Sequence, residues 1–129
     1  MTDGVFEGLH HAQLAMPRGE EEAARAFYAG VLGMTEVGKP PVLAARGGAW
    51  SRAGGLELHL GVEEDFRPAR KAHPALVLED VAELEAVGAR LAELGFDVDW
   101  SQRDNFPGYE RFHTFDGAGN RVEVLAAPS

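Results

Sequence analysis

The chain repeats the same residues at one fixed interval, and a histidine opens each copy. Pairs of identical residues stand 62 positions apart: His11 and His73, Leu14 and Leu76, Leu32 and Leu94, Gly33 and Gly95. Self-similarity at a fixed interval indicates one supersecondary unit that occurs twice. Two strands that each start with a histidine and face one another can bring two imidazoles to one point. The repeat therefore predicts both a duplicated fold and a metal site.

The length and charge of the chain narrow the fold and the class of ligand. With 129 residues, 45% of them hydrophobic, the sequence fits one compact domain, and two independent domains would be too small. A formal net charge of −9 repels a phosphate backbone, so we expect a small-molecule ligand and no nucleic acid. Neither a signal peptide nor a membrane-spanning run is visible, which predicts a soluble, cytoplasmic protein.

The first copy begins with a strand and continues into a helix. Alternation over residues 9–16 predicts a strand with Leu14 and Met16 on one face and His11 on the other. The apolar period over residues 20–32 predicts an amphipathic helix that ends at Gly33. Turn residues then divide the chain into short predicted strands at 34–37, 43–45, 49–52 and 56–60.

The second copy has the same order of elements. A strand at 73–78 leads into a helix that starts at Asp80, with Glu83 completing a capping box. Further strands are predicted at 96–100, 110–115 and 121–126, with residues 116–120 as the hairpin turn between the last two. The prediction is an α+β fold of two βαβββ modules, at about 8–61 and about 73–127, joined by a linker at about 62–72.

Strand alternation predicts which side chains point away from the helices. The leucines of 56–60 face the helix layer, which leaves Glu57 and His59 on the opposite face, and Glu123 is placed in the same way between two valines. If the two curved sheets face one another, these groups converge with the two opening histidines. His113 lies in the penultimate predicted strand and has no assigned role, and His10 is predicted to point toward the helices.

Two histidines and one carboxylate can hold a divalent ion with open coordination positions. Because the chain has no cysteine, any metal must be bound by nitrogen and oxygen, which suits Fe, Mn, Ni, Co or Zn. For any one of these side chains, the ordinary interpretation is a surface or hydrogen-bonded histidine, or a solvent-facing glutamate. Their joint placement at matching points of a duplicated unit favours the metal site.

Three segments carry a resemblance to a known family. Residues 11–16, residues 26–34 and the ending 116–124 resemble the vicinal oxygen chelate superfamily, which includes glyoxalase-type lyases, fosfomycin-resistance thiol transferases, extradiol dioxygenases and bleomycin-binding proteins. Residues 58–73 are similar to small bacterial glyoxalase-like proteins. The resemblance covers nearly the whole chain and implies paired modules whose curved mixed sheets surround a cavity. It also implies a homodimer.

The resemblance assigns roles to individual residues. It implies metal ligands at His11, His73 and Glu123, and a further ligand that also moves protons at Glu57. His59 is either a competitor for that fourth position or a substrate contact. The superfamily usually has Asp-Pro at the last hairpin, where this chain has Asp116 followed by glycine, a change predicted to loosen the turn.

Several other residues are candidate contacts for an anionic substrate. Arg70 belongs to a basic cluster just before His73, although a solvated linker that neutralises nearby acidic residues is the more ordinary interpretation. Tyr109, Arg111 and Arg103 are further candidate contacts. Trp50 and Phe106 are expected either to line the cavity or to pack in the core.

These observations favour a metal-dependent glyoxalase-like enzyme. The ion would act as a Lewis acid on a small oxygen-chelating substrate during proton transfer or nucleophilic addition, with Glu57 as general base. The alternative is a metal-free protein that sequesters a drug or metabolite, as in bleomycin resistance. An extradiol dioxygenase also fits the two histidines and the carboxylate, but such enzymes usually carry more modules.

Overall fold

A computed structural model describes residues 4–129 as two modules that follow one another in the chain. The elements of the first module are β1 (Ala12–Met16), α1 (Glu21–Arg25), which continues as a π-helical segment (Ala26–Val31), β2 (Thr35–Val37), α2 (Pro41–Ala44), β3 (Ala49–Ala53) and β4 (Leu56–Val62). Those of the second are β5 (Ala75–Val77), α3 (Val81–Glu93), β6 (Val98–Asp99), β7 (Glu110–Phe115) and β8 (Arg121–Ala126). None of the helices described in 4–129 has both the length and the apolar character needed to cross a membrane.

Each module forms one four-stranded mixed sheet, and the two sheets are built in the same way. The strand orders are β1-β4-β3-β2 and β5-β8-β7-β6. In both sheets the first strand of the module pairs in parallel with the last strand, and the remaining pairs are antiparallel. The predicted duplicated α+β fold is therefore confirmed. The sheets remain separate and do not close into one barrel.

The helices and the inner faces of both sheets share one hydrophobic core. Leu58 and Leu60 of β4 and Val122 and Val124 of β8 all belong to this buried cluster. Because side chains alternate along a strand, the residues between them point to the other face, which we call the outer face of each sheet. The faces predicted from alternation are thus confirmed for both closing strands.

The helix ends follow from local chemistry. Asp80 caps α3, since its Oδ1 accepts a hydrogen bond of 2.8 Å from the backbone N–H of Glu83. Gly95 follows the helix with a φ of 92°, a left-handed conformation that glycine adopts without steric cost. The predicted helix over 20–32 is present, but its second half widens to a π-helix in which Phe27 and Tyr28 are buried.

Two predicted strands differ from the structure. Residues 43–45, predicted as a strand from their apolar character, belong to the helical turn α2 and its end. Pro41 explains this, because its fixed φ suits the first position of a helix and its missing N–H costs nothing there. The strand predicted over 96–100 is shortened to β6, and residues 100–109 form a loop of turns instead.

Several hydrogen bonds hold the last hairpin turn, and its predicted loosening stays a prediction. Asp116 Oδ1 accepts hydrogen bonds from the backbone N–H groups of Ala118 and Asn120, at 3.0 and 2.9 Å. Its Oδ2 accepts one of 2.7 Å from the Tyr28 hydroxyl of the first module. A Cβ at Gly117 would lie 3.1 Å from the backbone oxygen of Ala23, so this turn packs closely against α1.

Candidate metal centre

The outer face of the second sheet places three potential metal ligands side by side. Glu123 of β8 is the register partner of Ala75 on one side and of His113 on the other. His73 stands two residues before Ala75, so the same alternation turns it toward this face. The fold therefore aligns two imidazoles on either side of one carboxylate.

The ligand atoms of these residues converge. His73 Nε2 lies 3.0 Å from Glu123 Oε1, and His113 Nε2 lies 3.5 Å from the same oxygen. One ligand atom from each of the three residues lies within 4.8 Å of the other two. Across residues 4–129, no other three histidine, aspartate or glutamate side chains come this close together.

A backbone carbonyl orients the imidazole of His73. His73 Nδ1 lies 2.8 Å from the carbonyl oxygen of Lys71, which can only accept a hydrogen bond. Nδ1 therefore donates this hydrogen bond, which leaves Nε2 as the ring nitrogen that faces the carboxylate of Glu123. A lone pair facing a carboxylate is favourable only with a cation between them, either a proton or a metal ion. This is the usual arrangement of a metal-binding histidine.

His113 is buried in a form that suits metal binding. The side chain is 3% exposed, and its Nδ1 is buried without a hydrogen-bond partner among the described residues. Burial lowers the pKa of His113 below the usual value for histidine, and the charge of Arg121 lowers it further. The imidazole is therefore neutral near pH 7, and a neutral imidazole nitrogen is the form that coordinates metals.

Glu123 stays ionised although it is buried. Burial by itself raises the pKa of Glu123, but hydrogen bonds from His73 and Arg111 outweigh it, so the net pKa is lowered. Arg111 Nη1 lies 3.3 Å from Glu123 Oε2. The same guanidinium donates to Asn105 Oδ1 at 2.7 Å and to the carbonyl oxygen of Gln102 at 3.2 Å. Arg111 thus ties the loop at 100–109 to the carboxylate.

The donor set fits a divalent ion. Two neutral imidazole nitrogens and one carboxylate oxygen are ligands that Fe, Mn, Ni, Co and Zn accept, and three protein ligands leave coordination positions for substrate or water. The orientation that the Lys71 carbonyl gives to His73 agrees with this assignment. The set differs from the predicted one, which had His11 in the position of His113.

We call the outer-face side chains that neighbour one another across a sheet a row: His73, Glu123 and His113 in the second sheet, and His11, His59 and Trp50 in the first. The row of the first sheet is a stack of aromatic rings. His59 of β4 is the register partner of Gln13 and of Trp50, and His11 stands two residues before Gln13. The His11 and His59 ring centroids lie 4.0 Å apart, and those of His59 and Trp50 lie 3.8 Å apart, with both pairs stacked. His11 therefore lies with His59 rather than with His73.

Glu57 lies beside this stack and is held by two partners. Its Oε2 lies 2.7 Å from His59 Nε2, and its Oε1 accepts a hydrogen bond of 2.8 Å from Arg52 Nη2. The hydrogen bonds from His59 and Arg52 lower the pKa of Glu57 to about 2. The carboxylate predicted to act as a base is therefore firmly ionised and already fully engaged.

The remaining predicted contacts are spread over the surface. Arg70 is exposed, and Tyr109 packs edge-on against Phe106 with ring centroids 5.5 Å apart. Phe106 is 40% exposed, so it lies outside the core. His10, predicted to point toward the helices, is exposed instead, with its Nδ1 2.9 Å from His11 Nδ1.

Comparisons with known proteins agree with this architecture. The sequence profile of the glyoxalase/bleomycin resistance protein/dioxygenase superfamily matches residues 8–124. The chain belongs to this superfamily. The resemblance seen in the sequence is confirmed by this match. No curated protein sequence matches the chain.

Solved structures of superfamily proteins are similar over almost the whole chain. A Bacillus anthracis protein described as a glyoxalase family member is 37% identical, with a TM-score of 0.87 over 98% of this chain and 99% of that one. The lactoylglutathione lyase of Agrobacterium tumefaciens is 25% identical, with a TM-score of 0.70 over 93% of each chain. The fosfomycin resistance protein FosX of Listeria monocytogenes is 15% identical, with a TM-score of 0.75 over 95% and 93%, and shares the fold.

Proposed function

We propose that the protein is a metal-dependent enzyme in which His73, His113 and Glu123 hold a divalent ion. The observation that carries this proposal is the convergence of two imidazole nitrogens and one buried carboxylate oxygen on one point. When bound, such an ion supplies Lewis acidity that polarises the oxygens of a substrate. The proposed reaction is proton transfer or nucleophilic addition on a small oxygen-chelating molecule.

The residues around the proposed centre have distinct tasks. The carbonyl of Lys71 orients the imidazole of His73, and Arg111 orients the carboxylate of Glu123. Glu57 is our candidate for proton transfer, with His59 as a substrate contact beside it. Because Arg52 and His59 lower the pKa of Glu57 to about 2, Glu57 must lose one of these partners before it can accept a proton.

We further propose that the enzyme is a homodimer. His11 and Glu57 lie on the first sheet, apart from the ligand cluster on the second. A second copy whose first sheet covered this cluster would bring both residues to it, and His11 would then act as a metal ligand, as the resemblance implies. Tyr109 and Arg70 would lie near the rim as substrate contacts. Sedimentation velocity tests this proposal, and a protein that stays monomeric at micromolar concentration would overturn it.

The same cluster favours a dioxygenase as the second candidate function. Two histidines and one carboxylate with open positions are the ligands of non-haem Fe(II) oxygenases. A metal-free binding protein for a drug or metabolite is less well supported, because such a role needs no converging ligands. A screen of thiol adducts of 2-oxoaldehydes, epoxides and catechols distinguishes these functions, since only the dioxygenase would consume oxygen with a catechol.

Metal titration tests the proposed centre. We expect chelator-treated protein to bind one Mn²⁺ or Ni²⁺ per chain in calorimetry, and His73→Ala to weaken that binding by about 100-fold or more. Glu63→Gln serves as the control, because Glu63 is exposed, belongs to the linker and lies outside the cluster. Binding that is unchanged by His73→Ala, or lost equally in the control variant, would overturn the proposal.

A further inference from the structure

A cleft lies beside the outer face of the first sheet, under the helical turn α2. Its volume is about 220 Å³, the size of a small organic molecule. It is lined mainly by residues of β1, β3, β4 and the segment between β2 and β3: Gln13, Lys39, Leu43, Arg46, Trp50 and Gly61. None of the metal ligands proposed above lines it.

Two glycines give the cleft its shape. A Cβ at Gly61 would lie 3.1 Å from the side-chain nitrogen of Gln13. Because glycine has no Cβ, the space above β4 at this position stays open. Gly48 has a φ of 91°, and a Cβ there would lie 2.1 Å from the carbonyl oxygen of Leu60. Only glycine lets this turn approach β4 so closely. The turn holds Arg46 at the edge of the cleft.

The cleft is lined by two cations, Lys39 and Arg46. Neither Lys39 nor Arg46 forms an ion pair within residues 4–129. Five other arginines do: Arg18, Arg25, Arg52, Arg103 and Arg111. Lys39 donates to the carbonyl oxygen of Gly47, and its Nζ lies 5.9 Å from the centre of the Trp50 ring. The nearby acid, Glu21, accepts a hydrogen bond of 2.9 Å from the backbone N–H of Gly48, which lowers its pKa, and the charge of Lys39 lowers that pKa further.

We propose that this cleft binds the anionic group of a small planar molecule, with Lys39 and Arg46 as donors to a carboxylate or phosphonate. In a chain with a net charge of −9, two cations on one cleft, neither held in an ion pair within residues 4–129, make a local site for an anion. Leu43 and the indole of Trp50 supply apolar surface for the body of the ligand. An anion bound here would lie next to the stack of Trp50 and His59, on the same face as Glu57.

This inference names the substrate class of the proposed enzyme and rests on that function for its purpose, but the binding itself requires no ion. It also differs from the anion contact predicted from the sequence, which placed Arg70 of the linker in this role. The two alternatives are distinguishable because Arg70 does not line the cleft.

Nuclear magnetic resonance of chelator-treated, ¹⁵N-labelled protein tests the cleft directly. The probes are benzoate, phenylphosphonate and the neutral benzamide, at constant ionic strength. We expect benzoate or phenylphosphonate to shift the Trp50 indole and Gln13 amide signals, with benzamide much weaker. The double variant Lys39→Gln with Arg46→Gln should weaken anion binding by about tenfold or more, since charge-assisted hydrogen bonds are lost.

The control variant removes the same charge elsewhere. Arg18→Gln with Arg90→Gln should leave anion binding within about twofold, because both side chains are exposed and neither lines the cleft. The proposal is overturned if no probe shifts these signals, if benzamide binds as well as benzoate, or if Arg70→Gln abolishes binding while the double variant does not. A metal titration of the same samples separates the two proposals, because the double variant should retain full metal affinity.

Discussion

The two sheets have the same topology but present different chemistry at matching positions. Gln13 in β1 pairs with His59, and Ala75 in β5 pairs with Glu123, so the central position holds an imidazole in one sheet and a carboxylate in the other. The next strand adds Trp50 to the first row and His113 to the second. The first row stacks as aromatic rings, and the second converges on one oxygen. The shared topology therefore places three side chains side by side in each sheet. Whether these side chains can bind a cation depends on the central one, which is a carboxylate only in the second sheet.

Each sheet also pairs a carboxylate with an arginine, in very different surroundings. The side chains of Arg52 and Glu57 are 57% and 14% exposed, whereas those of Arg111 and Glu123 are 14% and 5% exposed. Solvent screens the first pair, and burial strengthens the second. We conclude that Arg52 is a surface partner of Glu57, while Arg111 is a positioning residue for the proposed ligand.

The largest expected effect on metal affinity comes from replacing the central residue of each row with glutamine. Glu123→Gln should weaken Mn²⁺ binding by about 100-fold or more, because it removes the negative charge between the two histidines. His59→Gln should leave the affinity within about twofold, because His59 is not one of the clustered ligands. Calorimetry on both variants measures this difference. Equal losses in both would mean that the first sheet contributes ligands as strongly as the second.

A smaller effect is expected from the two arginines. Arg111→Gln should weaken metal binding by about tenfold, since residues that orient a ligand typically contribute at this level. Arg52→Gln should change the free energy of unfolding by less than about 1 kcal/mol and leave metal binding unaffected. Metal titration and urea unfolding of each variant separate the two roles. An Arg111→Gln protein with full affinity would show that Glu123 needs no orientation.

Much of this difference between the sheets is encoded in the sequence. The alternation of residues 56–60 and 122–124 correctly predicts which side chains leave the core. The hairpin turn at 116–120 also contained a signal for His113, because a turn that pairs Phe115 with Arg121 necessarily pairs His113 with Glu123. Counting this register would have added His113 to the predicted ligands.

Two other features of the structure could not be predicted from patterns in the sequence. The apolar content of residues 43–45 favoured a strand, although the preceding proline starts a helical turn. The separation of His11 from His73 depends on how the modules pack, through long-range contacts such as the 2.7 Å bond from Tyr28 to Asp116 and the 2.8 Å bond from Asn120 to Ala15. A repeat in the sequence reveals two similar units but not their relative placement.

The smallest expected effect concerns the pH dependence of stability in the first sheet. Folding lowers the pKa of Glu57 from 4.5 to about 2, so between these values the unfolded chain binds more protons. The stabilisation from Glu57 is therefore complete above pH 4.5 and is lost as the pH falls toward 2.

Glu57→Gln lacks this contribution, so the difference in unfolding free energy between the two proteins should shrink between about pH 6 and about pH 3. Urea unfolding at several pH values measures it, with Glu63→Gln of the exposed linker as control. A difference that stays constant over this range would show that the ion pair and hydrogen bond of Glu57 do not persist in solution.

Anomalous X-ray diffraction from crystals soaked in Mn²⁺ or Co²⁺ tests most directly whether the second sheet carries the metal centre. We predict one peak at bonding distance from His73 Nε2, His113 Nε2 and a carboxylate oxygen of Glu123. A peak between His11 and His59 instead, or no peak near Glu123 at saturating metal, would contradict the assignment of the ion to the second sheet.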